Sequence, residues 1–213
     1  MTTSAYHQTR LSYDPKRVTL WRTLVKSVFQ RHIGAKDSVL ELGAGYGDFI
    51  NSVRADRRFA IDTWEGMLRY LEPGVEGIVS SITNLSMIPE GSIDFVFASN
   101  ILEHVSQEEA AECLAQLRRK MKTGGSLNII QPNFRYSYRE YFDDYTHKTI
   151  YTDTGLSAFL EANRFAIIEC IPKFLPFSIK SHLPVHPLLI RAYLRSPFKP
   201  LGKQMLVRAR LLG

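Results

Sequence analysis

The stretch Ser38-Val39-Leu40-Glu41-Leu42-Gly43-Ala44-Gly45-Tyr46-Gly47-Asp48-Phe49 decides the fold of this 213-residue chain. An apolar segment that predicts a strand runs into an acid, then into three glycines at alternate positions, and then into a segment that predicts a helix. Glycine at these positions lets a ligand lie against the backbone and permits a tight turn from strand to helix. A glycine-rich turn is also used by dinucleotide-binding folds, and some turns merely require glycine. Only the segments further along the chain separate these alternatives.

A second acid lies downstream, at the end of Phe59-Ala60-Ile61-Asp62, which predicts a short buried strand. In an open parallel sheet, ligands bind outside the carboxyl ends of the strands, where the strand order reverses. A carboxylate at that position can accept hydrogen bonds from both hydroxyls of a ribose. Asp62 therefore supports a nucleoside cofactor without identifying it. The alternative is a helix N-cap ahead of Glu65.

Three motifs carry a resemblance to a known family. The spacing Glu41-x-Gly43-x-Gly45-x-Gly47, with the acid before the glycines, resembles the first motif of the class I S-adenosylmethionine (SAM) methyltransferases. The run Glu90-Gly91-Ser92-Ile93-Asp94-Phe95-Val96-Phe97-Ala98-Ser99-Asn100-Ile101-Leu102-Glu103-His104-Val105 resembles the fourth strand and following loop of the small-molecule branch. Thr123-Gly124-Gly125 is similar to that family's L-x-P-G-G turn, with threonine in place of proline. The resemblance extends over residues 36–171.

This resemblance implies an α/β fold, doubly wound and Rossmann-like, with a seven-stranded and mostly parallel sheet. Residues 1–213 are expected to form a single domain, with a helical cover at 14–35 and substrate or lid insertions at 132–150 and 172–203. Apolar periodicity predicts helices over Asp14–Arg31 and Leu114–Lys122, and a short one over Leu188–Arg195. Parallel strands are predicted near 38–42, 58–62, 77–80, 93–98, 125–131 and 164–171, with an antiparallel last strand over Gln204–Ala209.

The same resemblance assigns SAM as the cofactor and implies which residues hold it. Backbone groups of the glycine loop would contact the methionine end, and Glu41 would orient that loop or reach the amino acid group. Asp62 would bind the ribose, and Thr63 and Trp64 would flank it. Asn100 would contact the methionine moiety through its backbone. The family's acid for the adenine amino group is replaced here by Ser81-Ile82. The predicted cofactor-binding residues are Glu41, Gly43, Ala44, Gly45, Gly47, Asp62, Thr63, Trp64, Ser81, Ile82 and Asn100.

Three residues are candidates for catalysis if the methyl acceptor is a hydroxyl that must lose its proton. His104 occupies the family's L-E-H position, where the alternative role is to organise the loop. His147 lies in the aromatic insertion beside Asp143 and Asp144, so a carboxylate could orient its ring, and its alternative is an ordinary surface-loop histidine. Asp144 could be the base itself or could bind sugar hydroxyls. The aromatic residues of that insertion are expected to form core and lid.

Composition bounds the class of protein. An apolar content of 45% and a charged content of 23% are typical of a globular chain. No run of 18 apolar residues predicts a spanning helix, and the polar segment Met1–Tyr13 lacks the apolar stretch of a secretion signal. Cys113 and Cys170 lack metal-ligand spacing and are expected to be buried thiols. A cytoplasmic protein without a metal site is therefore expected.

The net charge of +6 is unevenly distributed. Residues 164–213 carry nine Lys or Arg residues and one acid, Glu169, whereas residues 1–163 carry 18 basic and 20 acidic residues. This asymmetry suggests an anionic partner for the C-terminal end. Three interpretations stay open: a flap whose cations meet substrate phosphates, a peripheral contact with the inner membrane surface, and, least favoured, a nucleic-acid groove.

The expected function is SAM-dependent methyl transfer to a small-molecule or glycan-type acceptor, at a hydroxyl. The run N-F-R-Y…Y-F-D-D-Y-T-H-K-T-I-Y-T is similar to methyltransferases of surface-polysaccharide biosynthesis, and a phosphorylated or lipid-linked acceptor would fit that similarity. Two alternatives are methylation of a lipid or quinone precursor and a non-catalytic SAM-binding or scaffold module. The oligomeric state stays open.

Overall fold

The computed structural model describes residues 13–176 and 185–213, and its centre is a seven-stranded sheet. The strand order is β3-β2-β1-β4-β5-β7-β6. Strands β1 to β5 are parallel to one another, and β7 runs antiparallel to both β5 and β6. The predicted fold class, including the antiparallel last strand, is confirmed. The strands are β1 Ser38–Leu42, β2 Arg57–Asp62, β3 Val75–Val79, β4 Ile93–Ser99, β5 Met121–Pro132, β6 Phe165–Pro176 and β7 Gly202–Leu211.

Helices cover both faces of this sheet. They are α1 Pro15–Leu24, α2 Gln107–Lys120, α3 Phe134–Ser137, α4 Asp153–Ala162 and α5 Pro187–Arg195. Every residue of β1 is buried, and alternate residues of the central strands enter two separate core clusters. Leu40 packs in the cluster that contains α2 and α4, whereas Val39 packs in the cluster that contains α1. Continuous burial on two faces is the pattern of a parallel sheet with helices on both sides.

The prediction of a helix directly after the glycine loop is wrong. Turns follow instead, and only Ile50–Ser52 forms a short 3-10 helix. Gly43, Gly45 and Gly47 all have positive φ, which a right-handed helix does not accept, so no helix can include the glycine loop itself.

Two other helices differ from their predicted bounds. The helix predicted over Leu114–Lys122 begins earlier, at Gln107, because Ser106 and Glu109 form a capping box. It ends at Lys120, and β5 starts at once with Met121, so Thr123-Gly124-Gly125 lies inside the strand as an irregularity. The helix predicted over 14–31 is α-helical only to Leu24 and continues as a π-helical turn and a 3-10 turn to His32.

The two predicted insertions are only partly irregular. Segment 132–150 contains α3 and a 3-10 turn at Tyr141–Asp143. Residues 172–176 extend β6, and α5 confirms the short helix expected near Leu188–Arg195. Phe177 and Lys180 of the second insertion, and the polar N-terminal segment up to residue 12, lie outside the described residues. Over 13–176 and 185–213, no helix is long and apolar enough to cross a membrane.

The two cysteines differ in burial. Cys113 is buried in α2, as expected, whereas Cys170 of β6 is only half-buried. The difference arises because β6 is the edge strand of the sheet and pairs with β7 alone.

Strand order reverses beside β1. The chain proceeds from β1 to β2 and β3 on one side, and then crosses to β4 on the other side. The carboxyl ends of β1 and β4 therefore open a crevice in which the connecting loops leave in opposite directions, which is where open α/β sheets bind ligands. The glycine loop follows β1 at this edge, and residues 100–105 follow β4.

Candidate active site

The three glycines of the loop after β1 adopt backbone conformations that disfavour side chains. The φ angles of Gly43, Gly45 and Gly47 are 66°, 53° and 67°. A Cβ added at Gly43 would lie 2.8 Å from Cδ1 of Ile101, which comes from the loop after β4. Side chains are thus excluded here both by the backbone conformation and by a neighbour. The loop leaves a side-chain-free surface at the carboxyl end of β1.

Asp62 joins the glycine loop to the end of β2. Its Oδ2 accepts a hydrogen bond from the N–H of Gly45 at 2.8 Å, and its Oδ1 accepts one from the N–H of Trp64 at 2.8 Å. The residue is half-buried, and each carboxylate oxygen has the capacity to accept a second hydrogen bond. A ribose hydroxyl at this edge would therefore find an acceptor that the loop already orients. Thr63 is exposed beside it.

Glu41 lies beneath the loop, with only 5% of its surface exposed. It accepts a hydrogen bond from the N–H of Ile50 at 3.0 Å, which fixes the chain where it leaves the glycine turns. Burial raises the pKa of this carboxyl well above its usual value, and Asp48 and Asp62 add to the effect. Of the two roles implied for Glu41, these contacts favour orientation of the loop.

An ion pair that the sequence did not reveal ties α1 to the glycine loop. Nε of Arg17 donates to Oδ2 of Asp48 at 2.7 Å, and the two side chains are 18% and 6% exposed. The pair connects residues 31 positions apart, and no local pattern marks it. Its effect is to hold the N-terminal helix against the glycine loop.

Aromatic rings flank the same loop. The ring of Tyr46 packs edge-on against Trp64 and Tyr70, with centroid distances of 5.1 and 4.7 Å. Tyr13 packs against Tyr46 and stacks on Tyr70 at 5.5 Å. The resemblance places Trp64 beside a ribose, but sequence reasoning missed the aromatic group around it, because three separate segments contribute its members.

The remaining predicted cofactor residues lie at the same edge. Asn100 has φ of 52°, donates its N–H to the carbonyl of Ile130 at 2.8 Å, and accepts from Gln204 at 2.9 Å. Ser81, after β3, accepts from the N–H of Thr83 at 3.2 Å and is exposed, whereas Ile82 is buried. Ser81 thus carries a hydroxyl where the resemblance leads one to expect a carboxylate.

The three predicted catalytic residues come together. The ring centroids of His104 and His147 are 4.8 Å apart. Nδ1 of His104 lies 2.9 Å from Oγ1 of Thr146, and that hydroxyl donates to Oδ1 of Asp144 at 2.5 Å. Nδ1 of His147 lies 2.6 Å from the carbonyl oxygen of Tyr141. Residues of the loop after β4 and of the segment 132–150 therefore form one cluster.

Burial and charge set the protonation of this cluster. Burial lowers the pKa of His104 to about 4, and the neighbouring His147 adds to the effect. Burial tends to raise the pKa of Asp144, but hydrogen bonds from Thr146 outweigh it and the net shift is downward. At neutral pH the cluster thus holds an uncharged His104 imidazole and, two hydrogen bonds away, an ionised Asp144.

Glu103 is the residue of this cluster that sequence reasoning missed. It is 1% exposed, and neither carboxylate oxygen has a hydrogen-bond partner among the described residues. Burial raises its pKa to about 8. Its own backbone carbonyl accepts the N–H groups of Lys148 and Thr149 at 2.7 and 3.2 Å, which docks the first insertion onto this loop. An acid directly after an apolar Ile-Leu pair was the signal that could have singled it out.

A cavity of about 660 Å³ lies elsewhere. It is lined by Asp37, Asp94, Gly125 and Arg208, among others, at the amino ends of β1, β4 and β5. Since the glycine loop and the histidine cluster lie at the carboxyl ends of the parallel strands, this cavity is on the opposite edge of the sheet. It is not part of the candidate active site.

Comparison with known proteins agrees with this geometry. Residues 40–129 match the family described as the methyltransferase domain. A protein of Claviceps purpurea named "Methyltransferase" is 29% identical over 147 residues, which are 62% of this chain and 44% of that protein. The chain thus spans less than half the length of that relative.

Solved structures share the fold over nearly the whole chain. A SAM-dependent methyltransferase from Archaeoglobus fulgidus is 21% identical, with a TM-score of 0.68 over 97% of this chain and 98% of that one. The complex of the Haloferax volcanii Trm112 methyltransferase activator with a methyltransferase is 12% identical, with a TM-score of 0.70 over 95% of this chain and 100% of that one. A third structure is geranyl diphosphate C-methyltransferase from Streptomyces coelicolor in complex with Mg²⁺, geranyl diphosphate and S-adenosyl-L-homocysteine. It is 14% identical, with a TM-score of 0.64 over 90% of this chain and 76% of that one.

These findings support a SAM-dependent methyltransferase of class I, with S-adenosylmethionine as its cofactor. The residues present fit that cofactor. The glycine loop offers bare backbone at the end of β1, and Asp62 offers oriented carboxylate oxygens one strand away. The fold and the domain match over residues 40–129 agree with this class, and they leave the acceptor of the methyl group open.

Proposed function

We propose that this chain transfers a methyl group from SAM to a hydroxyl of a small-molecule or glycan-type acceptor. One observation carries the proposal: Asp144 and His147 of the segment after β5 meet His104 of the loop after β4, the loop whose Ile101 borders Gly43. A methyltransferase whose acceptor is already a strong nucleophile needs no such polar cluster. A hydroxyl acceptor, in contrast, must lose a proton as it reacts.

Positioning is the first task of the chain's own residues. The cofactor supplies a methyl group that its sulfonium makes electrophilic. Gly43, Gly45 and Asp62 would hold the cofactor, and the segment 132–150 would hold the acceptor in line behind the methyl. Orientation of two reactants in this way contributes about 7–11 kcal/mol to lowering a barrier.

Proton removal from the acceptor is the second task. The cluster of His104 and His147 would meet the hydroxyl and assist its loss of a proton, which contributes about 10²- to 10⁴-fold to rate in general-base catalysis. Asp144 is a positioning residue in this scheme, because it acts on His104 through the hydroxyl of Thr146.

The first insertion supports a sugar-like acceptor. Tyr138, Phe142 and Tyr145 are 54%, 57% and 58% exposed, so their rings are accessible at the surface and not buried in the core. Exposed aromatic faces suit the flat apolar side of a sugar ring, and the carboxylates of the same segment suit its hydroxyls. The similarity of this segment to methyltransferases of polysaccharide biosynthesis leads to the same proposal.

Two measurements test this function. Isothermal titration of the purified chain with SAM should show binding, and tritium should pass from methyl-labelled SAM to at least one acceptor in a panel of nucleotide sugars, lipid-linked sugars and phenols. Binding without transfer to any member would favour a regulatory SAM-binding module. No binding at millimolar SAM would overturn the proposal in favour of a scaffold.

A second candidate function, methylation of a lipid or quinone precursor at a membrane surface, is favoured by the segment around α5. Leu188, Leu189, Phe198 and Leu201 are between 53% and 81% exposed, and basic residues are interleaved with them. Apolar side chains next to cations are suited to the interface of an anionic bilayer. Flotation with phosphatidylglycerol vesicles tests it: binding lost in a Leu188→Ser, Leu189→Ser variant supports this candidate, and no binding removes it.

A further inference from the structure

We propose that Glu103, His104 and His147 bind a divalent transition-metal cation. One carboxylate oxygen and one nitrogen from each imidazole all lie within 4.8 Å of one another. Sequence spacing alone predicts no metal site here, because His147 is separated from the other two residues by more than forty positions.

The carboxylate of Glu103 is the observation that points to a cation. It is almost fully buried, and over 13–176 and 185–213 both of its oxygens lack a hydrogen-bond partner. A buried carboxylate without partners is costly, and such groups are normally paired or coordinate a metal. Lys148, whose N–H meets the Glu103 carbonyl, does not supply the charge, because its Nζ lies 3.8 Å from Glu109 instead. A cation beside Glu103 would remove this cost.

The hydrogen bonds of both imidazoles place them in the form that binds metals. The hydroxyl of Thr146 donates its only hydrogen to Asp144, so it accepts from Nδ1 of His104. The carbonyl of Tyr141 can only accept, so Nδ1 of His147 is also the protonated nitrogen. In the neutral form of each ring, the lone pair is therefore on Nε2. Metal-binding histidines characteristically donate their other N–H to a carbonyl or carboxylate in this manner.

The donor set indicates the class of ion. Two imidazoles and one carboxylate suit Zn²⁺, Mn²⁺, Co²⁺ or Fe²⁺ better than Ca²⁺ or Mg²⁺, which prefer oxygen ligands. Three donors at about 2.1 Å from a tetrahedral ion lie about 3.4 Å apart, so the cluster would close by side-chain movements of about 1 Å. Three protein ligands leave a coordination position open. Both histidines are half-buried, whereas Glu103 is buried, so the open position would be reached from the side of the imidazoles.

A cation here would deepen the proposed function, and its catalytic role rests on that function. A hydroxyl that binds a divalent cation has a lowered pKa. The proton then leaves to bulk water, and neither imidazole has to take it. The binding of the cation does not depend on the methyl acceptor, so it can be measured alone.

The test uses Co²⁺ and Mn²⁺ as probes, without SAM or acceptor. Titration should give visible Co²⁺ absorption bands that saturate at one equivalent, and loss of the free Mn²⁺ electron paramagnetic resonance signal. Loss of an outer hydrogen-bond partner weakens metal binding about 10- to 100-fold, so we expect Thr146→Val to fall in that range and Glu103→Gln to lose about 100-fold or more. Glu112→Gln, an exposed acid on α2, is the matched control and should bind as the parent does.

Several outcomes decide the question. Absence of Co²⁺ and Mn²⁺ binding in the parent chain, or binding that survives both Glu103→Gln and His147→Ala, would overturn the inference. If Glu103→Gln fails to fold by circular dichroism, loss or survival of binding in His147→Ala, which lies in the half-buried loop, decides instead. Metal binding without any methyl transfer would leave the site standing and contradict the proposed function. Methyl transfer that persists in the absence of metal binding would leave the proposed function standing and contradict the metal site.

Discussion

The side chain of Ile101 occupies the space beside Gly43: a Cβ on Gly43 would lie 2.8 Å from its Cδ1. Gly43 begins the loop after β1, and Ile101 lies in the loop after β4. The two loops that border the crevice are therefore in direct contact. Because Glu103 and His104 lie just beyond Ile101, this contact also sets the place of the polar cluster relative to the glycine loop.

Substitution Gly43→Ala should therefore act in two ways. The φ of 66° disfavours any side chain, which costs about 1–2 kcal/mol, and the new methyl group also displaces Ile101. We expect a lower free energy of unfolding in urea and weaker SAM binding by calorimetry. Gly91→Ala is the matched control, because Gly91 has φ of 59° but no described atom within 4 Å of its Cβ position. Equal loss of SAM affinity in both variants would contradict a specific role for the Gly43 contact.

Substitution Asp62→Ala should weaken SAM binding. It removes the acceptor of the N–H groups of Gly45 and Trp64, and with them the orientation of the loop. Hydrogen bonds to charged groups contribute about 1.5–3 kcal/mol, which corresponds to a rise in Kd of about 10- to 100-fold. Asp56→Ala, at an exposed position before β2, should leave Kd unchanged. An unaltered Kd in Asp62→Ala would show that the ribose assignment is wrong.

The buried carboxyl of Glu41 should make stability depend on pH. Burial raises its pKa in the folded state, whereas the unfolded chain has the ordinary glutamate value of about 4.3. The stabilising contribution is thus complete below that value and is lost as pH rises through the folded pKa, by up to about 1.4 kcal/mol per pH unit.

Glu41→Gln isolates this effect, since glutamine can still accept from the N–H of Ile50. The difference in unfolding free energy, parent minus variant, should fall between pH 5 and pH 8 in urea titrations. A difference that stays constant or rises over that range would show that Glu41 is ionised in the folded protein and stabilised by its surroundings.

Asp144→Ala should lower kcat and leave SAM affinity unaltered. Asp144 accepts the hydrogen bond from Thr146, which in turn orients His104, and neither of these contacts involves the glycine loop. We expect kcat to fall about 10- to 100-fold, a part of the general-base contribution. Asp143→Ala, one position earlier and exposed, should keep the parent kcat. A loss confined to KM for the acceptor would instead assign Asp144 to sugar binding.

The glycine loop and the acid at the end of β2 could be predicted from sequence because their determinants are local. The spacing of Glu41, Gly43, Gly45 and Gly47 follows from one strand and one turn, and Asp62 follows from the end of the next strand. The order of these motifs along the chain sufficed for the fold, including the antiparallel β7. Element ends were less predictable: only a short 3-10 helix follows the glycine loop, and a capping box moved the start of α2.

The sequence by itself determined the class of fold, the cofactor loop and the candidate residues His104, Asp144 and His147. Only the tertiary structure decided that these residues meet, that Arg17 holds Asp48, and that the buried carboxylate of Glu103 lacks a hydrogen-bond partner in the part of the chain that the structure describes. The physical reason is that periodicity and turn chemistry report on neighbours along the chain. Burial and long-range hydrogen bonds depend instead on how the segment after β5 folds back over the loop after β4.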